Sequence, residues 1–201
     1  MTDAATDYDA LLRLARARRS PYAFDIDAPV SDDALRAAFE VARWAPSSYN
    51  EQPWRFVAGR RGDPAYQAVT DALLGQNPVW ALTAPVLGLV VAAERFKLDG
   101  SANTHAGFDT GAACFGLALG ARAVGLGLHL MAGVDVAKAA DGLGVPRGFE
   151  AVAGFALGVP ADDPHAVVPG PLADRAANPK PRRDLSETVF GTWGEPLLPE
   201  D

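Results

Sequence analysis

Only one cysteine, Cys114, occurs in the 201 residues, so no intrachain disulfide is possible. Such a chain suits a reducing compartment, and the expected location is cytoplasmic. Histidine is also scarce. His105, His129 and His165 share no metal-ligand spacing with Cys114 or with one another, which points away from a metal centre. Each reads as a surface or packed histidine. No apolar run reaches the roughly 20 residues that a membrane-spanning helix needs. The first seven residues are acidic and carry no apolar stretch, so no secretory leader is expected. Positive charge is in short supply: 18 Lys and Arg against 25 Asp and Glu give a net charge of −7, which argues against nonspecific binding to nucleic acid or anionic membrane. There is no P-loop and no G-x-S-x-G, and Gly125-Leu126-Gly127 lacks the third glycine of a dinucleotide fingerprint.

What is present is an ordinary globular composition, 49% hydrophobic and 21% charged, long enough for a sizeable core. Residues 1–160 read as one core domain. Residues 161–201 read as a Pro-rich, extended arm of the same domain, too poor in apolar residues for a core of its own. Helices are predicted from Asp7 to Arg18 and from Ser31 to Pro46, each with an apolar stripe at i, i+3, i+4 and i+7. A third runs from Pro64 to about Leu74, and a short one from Asp135 to about Leu143. Strands are predicted at 54–58, 85–93 and 151–159, the second apolar enough to be central. Residues 125–133 suit a strand or an ordered loop. Residues 185–190 suit an edge strand, on this chain or a partner's. Phe108–Val124 is apolar nearly all round and studded with glycine, so it is a buried helix that packs on the sheet or forms a subunit interface. Cys114 lies inside it as inert core.

Two stretches carry chemistry. Ala45 to Trp54 holds Pro46 and Pro53, two serines, Asn50 and Gln52, which makes a constrained loop with short donors and acceptors. A helix stop before a strand explains its composition as well as a ligand-reading loop does. Basic residues gather at 13–19 and 180–183 against an acidic background. Arg18, Arg19 and Ser20, with Lys180 and Arg182, suit a phosphate, whose bidentate geometry Arg matches best. Two solvated basic faces are the alternative.

The pattern A-P-S-S-x-N-x-Q-P-W-x-F from Ala45 to Phe56 resembles the signature loop of the FMN-dependent nitroreductase family. Arg18-Arg19-Ser20-Pro21-Tyr22-Ala23-Phe24 is similar to that family's R-R-S-x-R-x-F, and the resemblance runs over nearly the whole chain. It implies an α+β sandwich with a central mixed, mostly antiparallel sheet flanked by helices. It also implies a homodimer with FMN at the interface and a C-terminal arm over the partner subunit, the long glycine-bearing helix lying at that interface. By resemblance, Arg18, Arg19 and Ser20 hold the phosphate, with Lys180 and Arg182 reaching it from the arm; Arg183 is an alternative to Arg182. Pro46, Ser47, Ser48, Asn50 and Gln52 match positions that meet flavin from the second subunit. Asn77 matches a residue near the ribityl chain or pyrimidine edge, although a helix C-cap before Pro78 explains it equally. Leu130, Met131, Ala132 and Gly133 match the backbone beside flavin N5.

There are departures from the family pattern. Tyr22, still counted among the cofactor-binding positions, stands where many members carry Arg or Lys. Trp80 stands near another commonly basic position, and Ala132 replaces an acidic residue. The reaction implied is ping-pong: NADH or NADPH gives hydride to flavin N5, and a nitroaromatic, quinone or similar small-molecule acceptor then takes it. The flavin carries the chemistry and no catalytic side chain is required. The alternatives are another flavin reaction on the same fold, such as reductive dehalogenation or flavin breakdown, or a flavin-sequestering protein without turnover. The stretch 94–106 is too short for a large lid, which favours an open site.

Overall fold

The structure, a computed structural model, describes residues 4–178 and 180–198. Pro179, counted above in the arm, lies outside them. Helix α1 (Ala4–Ala17) is followed by α2 (Asp32–Ala42), whose Ser31 side chain accepts from the Ala34 N–H as a cap. Strand β1 (Trp54–Arg60) leads to α3 (Pro64–Asp71), then a five-residue α4 (Asn77–Ala81), then β2 (Val86–Ala93). Helix α5 (Ala106–Ala123), β3 (Gly127–Met131), α6 (Val136–Gly142) and β4 (Phe149–Gly158) complete the core. The segment after Gly125 is therefore a strand.

The four strands form one sheet in the order β1-β2-β4-β3, with every described pairing antiparallel. This is the α+β sandwich expected. Strand β2 is central and its residues alternate between two helical layers. Leu87, Leu89 and Val91 are buried with Val69, Trp80, Ala139 and Leu172; Val86 and Val90 are buried with Ala38, Ala42, Leu117 and Ala121. Gly88 is small for a reason visible across the ladder. It pairs with Phe155, and a Cβ on Gly88 would lie 2.3 Å from the Phe155 ring.

Close packing by α5 is real, but its partner is α2 rather than the sheet alone. A Cβ on Gly120 would sit 2.4 Å from the Ala38 carbonyl oxygen, and one on Gly116 3.0 Å from that of Val41. The opposite face of α5 is open: Gly107 and Gly111 have nothing within 4 Å of a built Cβ, and Phe108 is 82% exposed.

The arm differs from the extended strand-like course that its composition suggests. Gly170–Ala177 forms helix α7, entered through Pro169 and Pro171, and buries Val168, Leu172 and Ala173 in the core beneath the sheet. Residues Leu185–Glu187 form a 3₁₀ turn, where an edge strand was expected. The strand that does form, β5 (Phe190–Thr192), pairs only with β6 (Glu195–Pro196) in a small hairpin. Among the described residues no helix is long and apolar enough to cross a membrane.

Candidate functional site

Arg18, Arg19 and Ser20 follow directly on the end of α1, in the bend that leads to Tyr22. The Arg18 guanidinium reaches the Ser20 hydroxyl at 3.4 Å, and Arg19 Nη1 donates to the Arg16 carbonyl at 2.7 Å. Arg182, some 160 residues on, comes close enough to act on the same site. Partial burial, then the positive charge of Arg182, then that of Arg19, all hold the Arg18 pKa below its ordinary value. Like charges brought together without a carboxylate partner are unfavourable by themselves. Their arrangement suits a bound anion. Arg183 instead faces Glu187, with Nη1 3.4 Å from its carboxylate. Lys180 is exposed.

The proline loop is built by strain. Tyr49 (φ 51°), Asn50 (φ 56°) and Gln52 (φ 52°) are the non-glycine residues with positive φ among the described residues, and all lie in this one loop. Each left-handed residue costs about 1 kcal/mol or more, so the loop persists only because its surroundings fix it. The Ser47 hydroxyl accepts from the Gln52 N–H at 3.0 Å, and the Gln52 side chain donates to the Asn50 carbonyl and amide oxygens at 3.2 Å. Asp109 anchors the whole from α5: its buried carboxylate accepts from the Ser48 N–H at 2.9 Å. A depression of ≈ 260 Å³ opens here, lined by Pro46, Ser47, Ser48, His105, Phe108 and Asp109. Tyr49 projects outward, 92% exposed, with its ring edge-on to Phe96.

A third set of contacts ties β3 to α4. Asn77 is not a helix C-cap but the first residue of α4. Its side-chain N–H donates to the Gly133 carbonyl at 2.8 Å, and its oxygen accepts from the Trp80 indole N–H at 3.1 Å. A Cβ on Gly133 would lie 2.7 Å from the Asn77 side chain, so this close approach requires glycine. Met131 turns into the core, while Leu130 and Ala132 on either side are exposed. Trp80, near a position commonly basic in the family, is 1% exposed and belongs to the core. It stacks on His129 with centroids 4.2 Å apart, and the Tyr22 ring stands edge-on to both. His129 Nδ1 lies 2.8 Å from the Pro21 carbonyl oxygen.

The sequence-predicted residues thus fall into two groups. One joins the basic turn, Tyr22, Asn77 and the 130–133 segment, with Arg182 alongside. The other is the strained loop, fastened to α5. Sequence reasoning passed over Asp109 and His129. An isolated acid in an otherwise apolar helix was a signal for the first.

Comparison with known proteins bears on the family and the fold. The sequence model of the Nitroreductase family matches residues 15–79. A solved structure described as an oxidoreductase containing FMN is 33% identical, covers 89% of each chain and superposes with a TM-score of 0.81. A Desulfovibrio desulfuricans nitroreductase, provisionally so named and solved in complex with FMN, is 27% identical over 90% of this chain and 96% of its own, with a TM-score of 0.70. An uncharacterized 15.4 kDa protein of Mycolicibacterium smegmatis is 37% identical over 151 residues, 71% of this chain and 99% of that one. A Streptomyces coelicolor protein, provisionally named an NADH dehydrogenase/NAD(P)H nitroreductase, is 35% identical over 78 residues, 39% of this chain and 38% of its own length. The chain belongs to the nitroreductase family, a family of oxidoreductases.

Proposed function

We propose that this protein is an FMN-dependent NAD(P)H oxidoreductase, cytoplasmic and homodimeric, that reduces electron-poor small molecules such as nitroaromatics or quinones. The observation that carries the reading is that Arg18, in contact with Ser20, feels the positive charges of Arg182 and Arg19, with no ion-pair partner for Arg18 or Arg182 among the described residues. A phosphate monoester supplies the missing charge and accepts the bidentate donors, so the residues fit the phosphate end of FMN. When bound, FMN supplies hydride transfer at N5 between the nicotinamide and the acceptor, in two successive half-reactions.

The protein's part is to bind and orient. Arg18, Arg19, Ser20 and Arg182 fix the phosphate, with Lys180 adding long-range attraction. Asn77 and the backbone of 130–133 form one wall. Pro46, Ser47, Ser48, Asn50 and Gln52 form another, rigid because its backbone is strained and pinned by Asp109. The two walls belong to separate hydrogen-bonded groups of one chain, which supports a site completed by a second copy. The open face of α5, with Phe108 and Phe115 exposed beside Gly107 and Gly111, supplies an apolar surface for that copy. The residues of the C-terminal arm beyond α7 are mostly exposed, which suits an arm reaching across the partner.

One observation favours a second reading, a flavin-binding protein without turnover. The Tyr22–Trp80–His129 group carries no permanent positive charge where a reduced, anionic flavin would gain from one. The test is an anaerobic titration of the FMN-loaded protein with NADH and then NADPH. Bleaching of the flavin absorbance by either, and its return on adding a quinone or nitroarene, is the expected result. Bound flavin that stays oxidised with both nucleotides selects the second reading.

A further inference from the structure

His129 is the contact through which β3 reaches the basic turn. A carbonyl oxygen only accepts, so the 2.8 Å approach to Pro21 places the proton on Nδ1 and leaves Nε2 as an acceptor in the neutral ring. Burial holds the His129 pKa below its ordinary value, and the imidazole is neutral at neutral pH. Pro21 directly follows Ser20. It also packs on β3, where a Cβ on Gly127 would lie 2.7 Å from its ring.

The rest of this segment is held elsewhere. The Phe24 N–H donates to the Thr83 hydroxyl at 3.1 Å, the Asp25 N–H to the Val159 carbonyl at 2.8 Å, and Ala23 accepts from the Ala161 N–H at 3.1 Å. Loss of the His129 bond therefore leaves residues 23–25 anchored and Arg18 bonded back to Leu14, and removes a hydrogen bond that holds Pro21, whose ring still packs on Gly127. The other face of the imidazole stacks on Trp80, whose indole N–H holds Asn77, which in turn holds Gly133.

We infer that His129 is a positioning residue that sets the Arg18-Arg19-Ser20 turn for its anion through Pro21, while its ring, stacked on Trp80, keeps that turn in register with the Asn77–Gly133 edge. The inference deepens the FMN reading and rests on it for the identity of the anion. It predicts a separation between the two ends of the ligand. His129→Phe keeps a ring for the stack and loses the hydrogen bond, so affinity for FMN falls roughly tenfold. Affinity for riboflavin, which has no phosphate, stays within about twofold. His129→Asn, which returns an N–H near the place of Nδ1, restores most of the FMN affinity. A merely structural role lowers both affinities together.

The experiment is fluorescence titration of the wild type and both variants with FMN and with riboflavin, paired with amide hydrogen exchange over residues 18–22. The expected exchange result is faster exchange in this stretch in His129→Phe, unchanged β4 protection, and recovery in His129→Asn. Equal loss of FMN and riboflavin affinity, or unchanged exchange at 18–22, overturns the inference. A wild type that binds neither flavin defeats the FMN reading, and the exchange result then decides the role of His129 by itself.

Discussion

The two faces of α5 carry the same residue types and behave oppositely. On one, Gly116 and Gly120 sit against the backbone of α2, where a Cβ would collide with the Val41 and Ala38 carbonyls. On the other, Gly107 and Gly111 meet nothing, beside Phe108 and Phe115, both exposed. A helix apolar all round is normally surrounded. Here only half of it is covered by the chain's own elements. Glycine that is costly in a helix has a packing reason on the first face; on the second it has one only if something else comes close. Asp109 lies on the buried side near the helix start, and its bond to Ser48 fastens the strained loop beside the open face.

Gly120→Ala is the most damaging way to probe that contrast. The added methyl must displace α2 by more than a side-chain adjustment, and we expect a loss of about 3 kcal/mol in urea unfolding. Phe108→Glu acts on the open face instead. We expect the proposed dimer to dissociate in sedimentation velocity, flavin affinity to fall with it, and the far-ultraviolet circular dichroism to remain. A monomeric wild type of full flavin affinity would mean that no second copy covers the open face. Cys114 reports on how well the covered side is sealed. Burial pushes its thiol up to about 11, so thiolate is rare at pH 8 and reaction with a disulfide reagent runs over ~100-fold slower than in the unfolded chain. The sign of its pH effect follows. The unfolded thiol ionises first, so stability is lost as pH rises from the ordinary thiol range towards 11. Gly111→Ala is the gentlest test. Judged within one chain it gains up to about 1 kcal/mol. A gain in the dissociated Phe108→Glu background but a weaker dimer in the wild type is the pattern expected of a face that another copy covers.

Much of this fold is written in periodicity. The stripe of α2 and the unbroken apolar run of β2 stand out because burial selects them, whereas the stripe of α1 does not follow burial, since its Tyr8 and Leu11 are exposed. Short elements do not stand out. Helix α4 is five residues between two turn signals, and its stability comes from Trp80 in the core and from Asn77 bonding across to Gly133. Helix α7 hides among prolines because Pro171 is tolerated in a first turn, and a few buried residues suffice to dock it. Of the candidate site, the basic clusters were legible as charge. The choice of Arg182 over Arg183 rested on resemblance rather than on charge, because which of the two lies by Arg18 depends on how the arm folds back. The left-handed backbone at Tyr49 and Gln52 was invisible too, because neither residue type favours that conformation and tertiary contacts impose it. His129 was read as a surface or packed histidine, and its partners Pro21 and Trp80 are brought to it only by the closing of the sheet against α4.

We propose that three guanidinium groups from opposite ends of the chain hold the phosphate of a flavin nucleotide. The most direct test is the FMN dissociation constant of the wild type and of Arg182→Ala, each at low and high salt. We expect that the wild type binds FMN, that the variant binds at least about tenfold more weakly, and that the difference shrinks as salt rises. FMN bound equally well by both proteins at low salt would contradict it.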